Sequence, residues 1–379
     1  MLVTALNRIQ TPAAVVDRAR MQRNIERMQL RMNDLGVKFR PHVKTAKSIE
    51  VARAQRAAGS RGVTVSTLAE AEYFFADGVT DILYAVGISP SKLPRALDLI
   101  RRGCALKIIT DNRESAQAIA KFGREAATRF EVLIEIDTDG HRSGVQPEQQ
   151  ELLRVAHALH DGGMRLAGVL THAGSSYGCD SPEQLVSMAE QERAGCVLAA
   201  ERLRAAGLPC AEVSVGSTPT ALSAERLEGV TEVRAGVYVF FDLVMCNVGV
   251  CTADDIALSV LTTVTGHQSE KGWAIVDAGW MAMSRDHGTQ SQKKDYGYGQ
   301  VCSADGTVIP GYVMSSANQE HGVLAYQPQM DPDIARRFPI DTQLRILPNH
   351  ACATAAQFSE YCVIDEDGCL ATWERLRGW

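Results

Sequence analysis

Three cations and an imidazole fall within eight residues in Arg40-Pro41-His42-Val43-Lys44-Thr45-Ala46-Lys47. Neighbouring positive charge favours the neutral form of a lysine amine, which is the form that acts as a nucleophile or base, so Lys44 is a candidate for either role. A solvated basic turn is the competing reading. Downstream, Asp137-Thr138-Asp139-Gly140-His141-Arg142-Ser143-Gly144 and Thr171-His172-Ala173-Gly174-Ser175-Ser176-Tyr177-Gly178 contain glycines that permit tight turns and aim polar side chains inward. Val215-Gly216-Ser217-Thr218-Pro219-Thr220 joins a β-branched run to a helix start, with Pro219 suited to the first helical position. Free backbone N–H groups and hydroxyls there describe an anion cradle. Arg234-Ala235-Gly236-Val237-Tyr238 supplies a second glycine turn. Singly, such turns are ordinary helix caps and surface arginines. Together they describe an anion seat facing a lysine, with Arg and His between, and a phosphorylated carbonyl cofactor that condenses with lysine fits that set. Pyridoxal 5'-phosphate is the obvious one.

These segments need a scaffold that gathers them at one rim. Short β-branched runs at 13–17, 38–41, 62–66, 82–86, 106–110, 132–136, 166–171, 212–215 and 232–235 read as strands. Amphipathic stretches such as 18–35, 68–77, 90–102, 113–125 and 182–206 read as helices between them. This repeated strand-then-helix rhythm predicts an α/β fold, a (β/α)8 TIM barrel, with a doubly wound sheet as runner-up. The run holds one strand more than a barrel uses, and residues 13–17, ahead of a long helix, are expected to pair outside it. In such a barrel the working groups project from the C-terminal strand ends, and phosphate sites commonly use the loops after strands seven and eight. The segments around Gly216 and Gly236 occupy those two places. Beyond about residue 245 the rhythm changes to strand-like runs at 256–265, 272–277, 300–302, 307–310, 322–325, 343–347, 361–364 and 370–374. The expected domains are a cofactor-binding barrel at 12–245 and a C-terminal all-β domain at 246–379 joined by residues 1–11.

Composition removes other classes. The 379 residues carry 39 Lys and Arg against 45 Asp and Glu, a formal charge of −6, which argues against nucleic acid and anionic membrane as partners. The first residues lack a secretory pattern and no stretch approaches a membrane span, so the expected location is the cytoplasm. Ten cysteines scattered from Cys104 to Cys369 include no CxxC pair, and most are expected to be reduced, buried thiols.

On these residues the barrel half resembles the fold-type III pyridoxal phosphate enzymes, the alanine racemase-like group. The segments 40–45, 137–144, 216–220 and 234–238 look like its D-serine dehydratase and D-threonine aldolase branch. The resemblance implies that Lys44 carries the cofactor and that His172 and Tyr177 contact it. It implies phosphate contacts from Gly216, Ser217, Thr218, Gly236 and Tyr238, and a ring contact from Arg142 or Arg234, which remain undistinguished. It also implies a homodimer in which the β domain of one subunit lies near the barrel mouth of the other.

The C-terminal half holds Pro348-Asn349-His350-Ala351-Cys352-Ala353-Thr354 after a strand-like run. If strand geometry continues, His350 and Cys352 point to one face and can share an ion. The alternative is a satisfied histidine beside a buried thiol. In this context His-x-Cys looks like the metal site of D-serine dehydratase-type enzymes, whereas the aldolases tend to carry His-x-Asp. Zinc suits the pair, and manganese, cobalt or nickel would accept it with oxygen ligands added. The resemblance implies a metal-assisted dehydratase, an ammonia-lyase of a β-hydroxy D-amino acid. The nearest substrate is D-threo-3-hydroxyaspartate, giving oxaloacetate and ammonia, with D-serine as alternative. A D-threonine-type aldolase and a racemase are the enzymatic rivals. The latter would need a second base such as Tyr296 or Tyr298, which read equally as packing tyrosines. A cofactor carrier without catalysis is the rival of another class. Asp277-Ala278-Gly279-Trp280 and Asn318-Gln319-Glu320-His321-Gly322 read as structural turns.

Overall fold

The computed structural model describes residue 6, residues 8–365, residue 368 and residues 370–379. Cys369 lies outside the described residues. The chain divides into two compact units, Glu26–Gly236 with Gly378–Trp379, and Met1–Ile25 with Val237–Arg377.

Strand β1 (Ala13–Asp17) precedes helix α1 (Arg18–Asp34). Eight parallel strands then build the first unit: β2 (Lys38–Pro41), β3 (Val63–Val65), β4 (Asp81–Gly87), β5 (Ala105–Thr110), β6 (Glu131–Ile136), β7 (Arg165–Thr171), β8 (Glu212–Val215) and β9 (Glu232–Ala235). Helices α2 (Ile49–Ala57), α3 (Leu68–Ala76), α4 (Leu93–Arg101), α5 (Arg113–Glu125), α6 (Gln150–His160), α7 (Pro182–Ala205) and α8 (Thr218–Ser223) alternate with them. The sheet runs β2-β9-β8-β7-β6-β5-β4-β3, and a parallel bridge between His42 and Thr64 joins its two ends. The expected barrel is the fold. Its strands read as near-continuous apolar runs because both faces are covered. Leu83, Ile109, Leu133, Ala167 and Leu170 form one buried cluster. Gly168 is required where β7 passes β8, since a Cβ there would lie 1.9 Å from the Glu212 carbonyl oxygen.

Helix starts follow local chemistry. Thr67 accepts from the Glu70 N–H at 3.0 Å, Asn112 accepts from Ser115, and Ser181 caps α7 ahead of Pro182.

In the second unit β1 pairs with β10 (Leu258–Gln268) and β16 (Glu360–Ile364), which places residues 13–17 outside the barrel as their extra count required. Strands β10, β11 (Trp273–Val276), β12 (Gly299–Ser303), β13 (Val308–Ala317), β14 (Gly322–Tyr326) and β15 (Gln343–Pro348) pair in the order β11-β14-β13-β12-β15-β10. A further β10–β11 pairing closes that ring. β17 (Leu370–Glu374) adds to β16. Val260, Val276, Val301, Met314, Leu324 and Ile346 belong to the apolar cluster of this unit. The expectation of strands without helices needs correction, because short helices intervene: α9 (Leu243–Val248), α10 (Trp280–Met283), α11 (Ile334–Arg337) and α12 (Ala351–Ala355). They carry too few residues for an amphipathic repeat to be visible in sequence. No helix among the described residues is long and apolar enough to cross a membrane. The nine described cysteines are all free thiols.

Candidate active site

The basic run at the end of β2 is taken apart by the fold. Arg40 is buried in the barrel, where its Nε donates to Glu232 at 2.8 Å and its terminal nitrogens donate to Asp81 at 2.8 and 3.0 Å. Burial opposes its charge, but Glu232 and Asp81 outweigh that and hold the guanidinium protonated. Lys47 sits 3.1 Å from the fully buried Glu70 of α3. Lys44 is the exposed cation of the three, just past the C-terminal end of its strand. A solvated basic turn does not describe this segment.

The groups expected around Lys44 converge electrostatically. Burial is the main cause that holds His172 down at about 3, with its hydrogen bond to Gly216 opposing and Lys44, Arg234 and Arg142 adding to the depression. His42 is lowered well below its usual range by burial and then by Lys44, Arg234 and His172. Both rings are therefore neutral, flat and polarisable near neutral pH. The Nδ1 of His172 donates to the Gly216 carbonyl at 3.0 Å, tying the loop after β7 to the loop after β8. Tyr177 lies beside it, ring centroids 6.2 Å apart.

The turn at Gly216 departs from the expected cradle of free amides. Ser217 and Thr220 form a capping box, each backbone N–H donating to the other's hydroxyl at 3.0 and 3.2 Å. The Gly216 N–H donates to Glu192 at 3.0 Å. Its hydroxyl is engaged as well: buried Ser217 Oγ lies 2.8 Å from buried Ser176 Oγ. Gly216 has φ +132°, and a Cβ there would lie 2.1 Å from the Arg234 carbonyl oxygen. At Gly236 a Cβ would come within 3.0 Å of the His42 carbonyl oxygen and 3.2 Å of Thr45 Oγ1, so these loops approach as glycine alone permits. Tyr238, in the following turn, is fully buried. The two arginines differ. Arg234 is buried, donating to Ser214 Oγ and the Thr171 carbonyl at 2.6 Å each, whereas Arg142 is 61% exposed, 3.9 Å from Glu135. An exposed amine, several cations, neutral imidazoles and rim hydroxyls suit an anionic phosphorylated aldehyde, so the residues fit pyridoxal phosphate.

Sequence reading missed Glu192. Its buried carboxylate accepts from Ala173 N–H at 2.8 Å as well as from Gly216, clamping two rim loops from beneath, and burial pushes its pKa up against those bonds. A signal existed: the buried face of α7 reads Leu185, Ala189, Glu192, Cys196, Ala199 and Leu203, an apolar stripe with one acid in it.

In the β unit the strand stops at Pro348, and His350 is the N-cap of α12 with Cys352 inside the helix. Continued strand geometry is thus not what joins them, because the chain turns into a helix at the motif. They still meet, through a side-chain hydrogen bond. Nδ1 of His350 is 2.5 Å from Asp286 Oδ2. Burial pulls the imidazole down, but the charges of Cys352 and Asp286, with their hydrogen bonds, overcome it and push it up to about 11. A site that holds a proton so firmly is one that favours cations, and a metal would displace that proton. Among the described residues no group of three or more His, Cys, Asp or Glu forms a metal cluster, so the pair needs oxygen ligands from elsewhere. An imidazole and a thiol fit a divalent ion on those terms.

The neighbouring turns pack together. Asp277 accepts from Thr11 at 2.6 Å, Thr262 at 2.7 Å and the Thr263 N–H at 2.9 Å, while Trp280 and Met281 donate to the carbonyls of Asn318 and Gln319 at 2.9 and 3.1 Å. Lys294 stacks over Tyr296 at 4.3 Å, and Tyr298 meets His287 edge-on at 4.1 Å.

Residues 16–244 match the family model of the alanine racemase N-terminal domain, and residues 257–364 match that of a putative serine dehydratase domain. The chain is 68% identical over 373 residues to a D-threo-3-hydroxyaspartate dehydratase of Delftia sp. strain HT23, covering 98% of each chain. A solved cysteine-to-alanine variant of D-threo-3-hydroxyaspartate dehydratase, described as the metal-free form, superposes with TM-score 0.98 at 67% identity, covering 99% of both chains. A D-serine dehydratase of Dictyostelium discoideum is 31% identical, covering 96% of this chain and 95% of that one. The chain belongs to the family that joins an alanine racemase-type barrel to a serine dehydratase domain.

Proposed function

We propose that the protein is a pyridoxal phosphate- and divalent metal-dependent ammonia-lyase that removes water from D-threo-3-hydroxyaspartate to yield oxaloacetate and ammonia. The observation that carries this reading is 68% identity over nearly the whole chain to a D-threo-3-hydroxyaspartate dehydratase, together with the His350–Cys352 pair held beside Asp286. When bound, the cofactor supplies an electron sink for charge developing at the substrate α-carbon, and a metal on His350 and Cys352 supplies Lewis acidity to a hydroxyl that is a poor leaving group. Lys44 would hold the cofactor, and its side-chain nitrogen is the base assigned to the substrate α-proton. His172, kept neutral by burial, would contact the cofactor without adding charge, with Tyr177 beside it. Ser217, Thr218 and Tyr238 would hold the phosphate, and Gly216 and Gly236 would let the backbone approach it. Arg142 is assigned to the ring, because Arg234 is committed to Ser214 and Thr171 inside the barrel. Loss of hydroxide and the α-proton leaves an enamine, which tautomerises and takes up water to release ammonia, so the net change is loss of ammonia alone.

The reading includes a homodimer. The free thiols support a reducing compartment, the cytoplasm. D-serine, yielding pyruvate, is the second substrate reading, favoured by the Dictyostelium relative. The test is ammonia and keto-acid release from D-threo-3-hydroxyaspartate and D-serine, before and after chelation and metal add-back. Oxaloacetate formed only with metal is the expected result. Glycine with glyoxylate, racemised substrate or chelator-resistant turnover would overturn it.

A further inference from the structure

Backbone on both sides of His350 is pinned. The Asn349 side chain donates to the Gly297 carbonyl at 2.6 Å, its own carbonyl accepts from Val244 N–H at 3.1 Å, and the Ala351 N–H donates to buried Asp242 at 2.9 Å. What remains to be set is the rotation of the imidazole. Asp286, 64 residues earlier in sequence, meets it at Nδ1. That carboxylate is itself fixed: the Asp286 N–H donates to Ser284 Oγ at 3.0 Å, and the Gly288 backbone N–H donates to the carboxylate. A Cβ at Gly288 would press to 2.8 Å of Val244 Cγ2, so the turn that carries this bond fits tightly. A histidine whose Nδ1–H is bound to a carboxylate presents Nε2 as a lone pair of set direction, the usual arrangement behind metal-bound imidazoles. Asp286 does not join a three-ligand cluster with the pair, so it acts through the ring and not on the ion.

We propose that Asp286 is the positioning residue of the metal pair, holding the His350 ring so that Nε2 and the Cys352 sulfur converge on one divalent ion. The proposal rests on the metal reading above, and its test separates the two. Metal-stripped, cofactor-loaded wild type, Asp286→Asn, Asp286→Glu and Cys352→Ala are each equilibrated by dialysis against Zn2+ and, separately, Mn2+, and bound metal is counted. Thermal unfolding of the stripped proteins serves as the folding control. Loss of an outer-shell carboxylate weakens metal binding by about 10- to 100-fold. Asp286→Asn is expected to lose affinity by that factor with an unfolding midpoint close to wild type, and Asp286→Glu to recover most of it. If Cys352→Ala loses the ion while Asp286→Asn binds as wild type does, the positioning role is wrong and the metal site stands. If wild type and Cys352→Ala bind metal equally, the metal site itself is wrong and the role of Asp286 falls with it. An Asp286→Asn protein that melts well below wild type, with Asp286→Glu folded yet equally weak for metal, assigns the residue to folding and also overturns the proposal.

Discussion

At the barrel rim the candidate groups arrive from loops that each follow a parallel strand, so the repeat of the fold delivers Lys44, His172, Gly216 and Gly236 to one end of one sheet. In the β unit no repeat does this. His350 and Cys352 are brought together by a helix start at the end of β15, and their surroundings are completed by Asp286 and Asp242 from distant segments. Burial and then neighbouring cations keep His42 and His172 neutral, whereas the β-unit imidazole lies beside Cys352 and Asp286 and holds its proton. One environment suits an anionic cofactor and the other a cation. In the function proposed above, the first half-site would serve proton removal and the second departure of the leaving group.

That division can be broken experimentally. Lys44→Ala is expected to lower ammonia release by about 10³-fold, the scale of a lost general base, and to abolish exchange of the substrate α-hydrogen in D2O. Retained exchange would assign proton removal elsewhere. Cys352→Ala, or chelation, is expected to cut ammonia release by about 10²-fold or more, since Lewis acidity accounts for several kcal/mol, while α-hydrogen exchange continues. Loss of both together would mean that the two half-sites are not separable.

Glu192→Ala strands the buried N–H groups of Ala173 and Gly216. At about 1–3 kcal/mol for each orphaned donor, urea unfolding should show a loss of about 2–6 kcal/mol, with Glu192→Gln milder because its amide oxygen still accepts. An unchanged midpoint would remove Glu192 from the architecture of the rim.

The smallest effect concerns pH. Unfolded His172 takes up a proton near 6.5, whereas the folded ring resists until about 3, so the unfolded chain binds more protons in that window and stability falls as pH falls. The slope attributable to this ring is about 1.4 kcal/mol per pH unit. His172→Gln should flatten the stability profile by that amount below pH 6.5, and an unaltered slope would show that the ring is not held neutral.

Much of this was legible before any coordinates. Nine strands where a barrel needs eight implied that residues 13–17 pair elsewhere, and they pair with β10 and β16. The five rim segments stood where strand ends were expected. Glu192 was readable as an acid on an apolar helical stripe. Asp286 was not, because it lies in a polar segment without periodicity and its partner is 64 residues away.

Sequence alone determined the strand-and-helix order of the barrel, its strand-rich continuation, and the residue types available to each half-site. Periodicity and turn chemistry are local properties, carried by neighbours along the chain. Only the tertiary structure decided which cation stays exposed. Arg40, Lys44 and Lys47 are near-equivalent in sequence, yet Glu232, 192 residues from Arg40, and Glu70 against Lys47 remove two of them from the rim. Charge pairing depends on distance in space, and nothing in the local sequence encodes which acid will lie within 3 Å of which base.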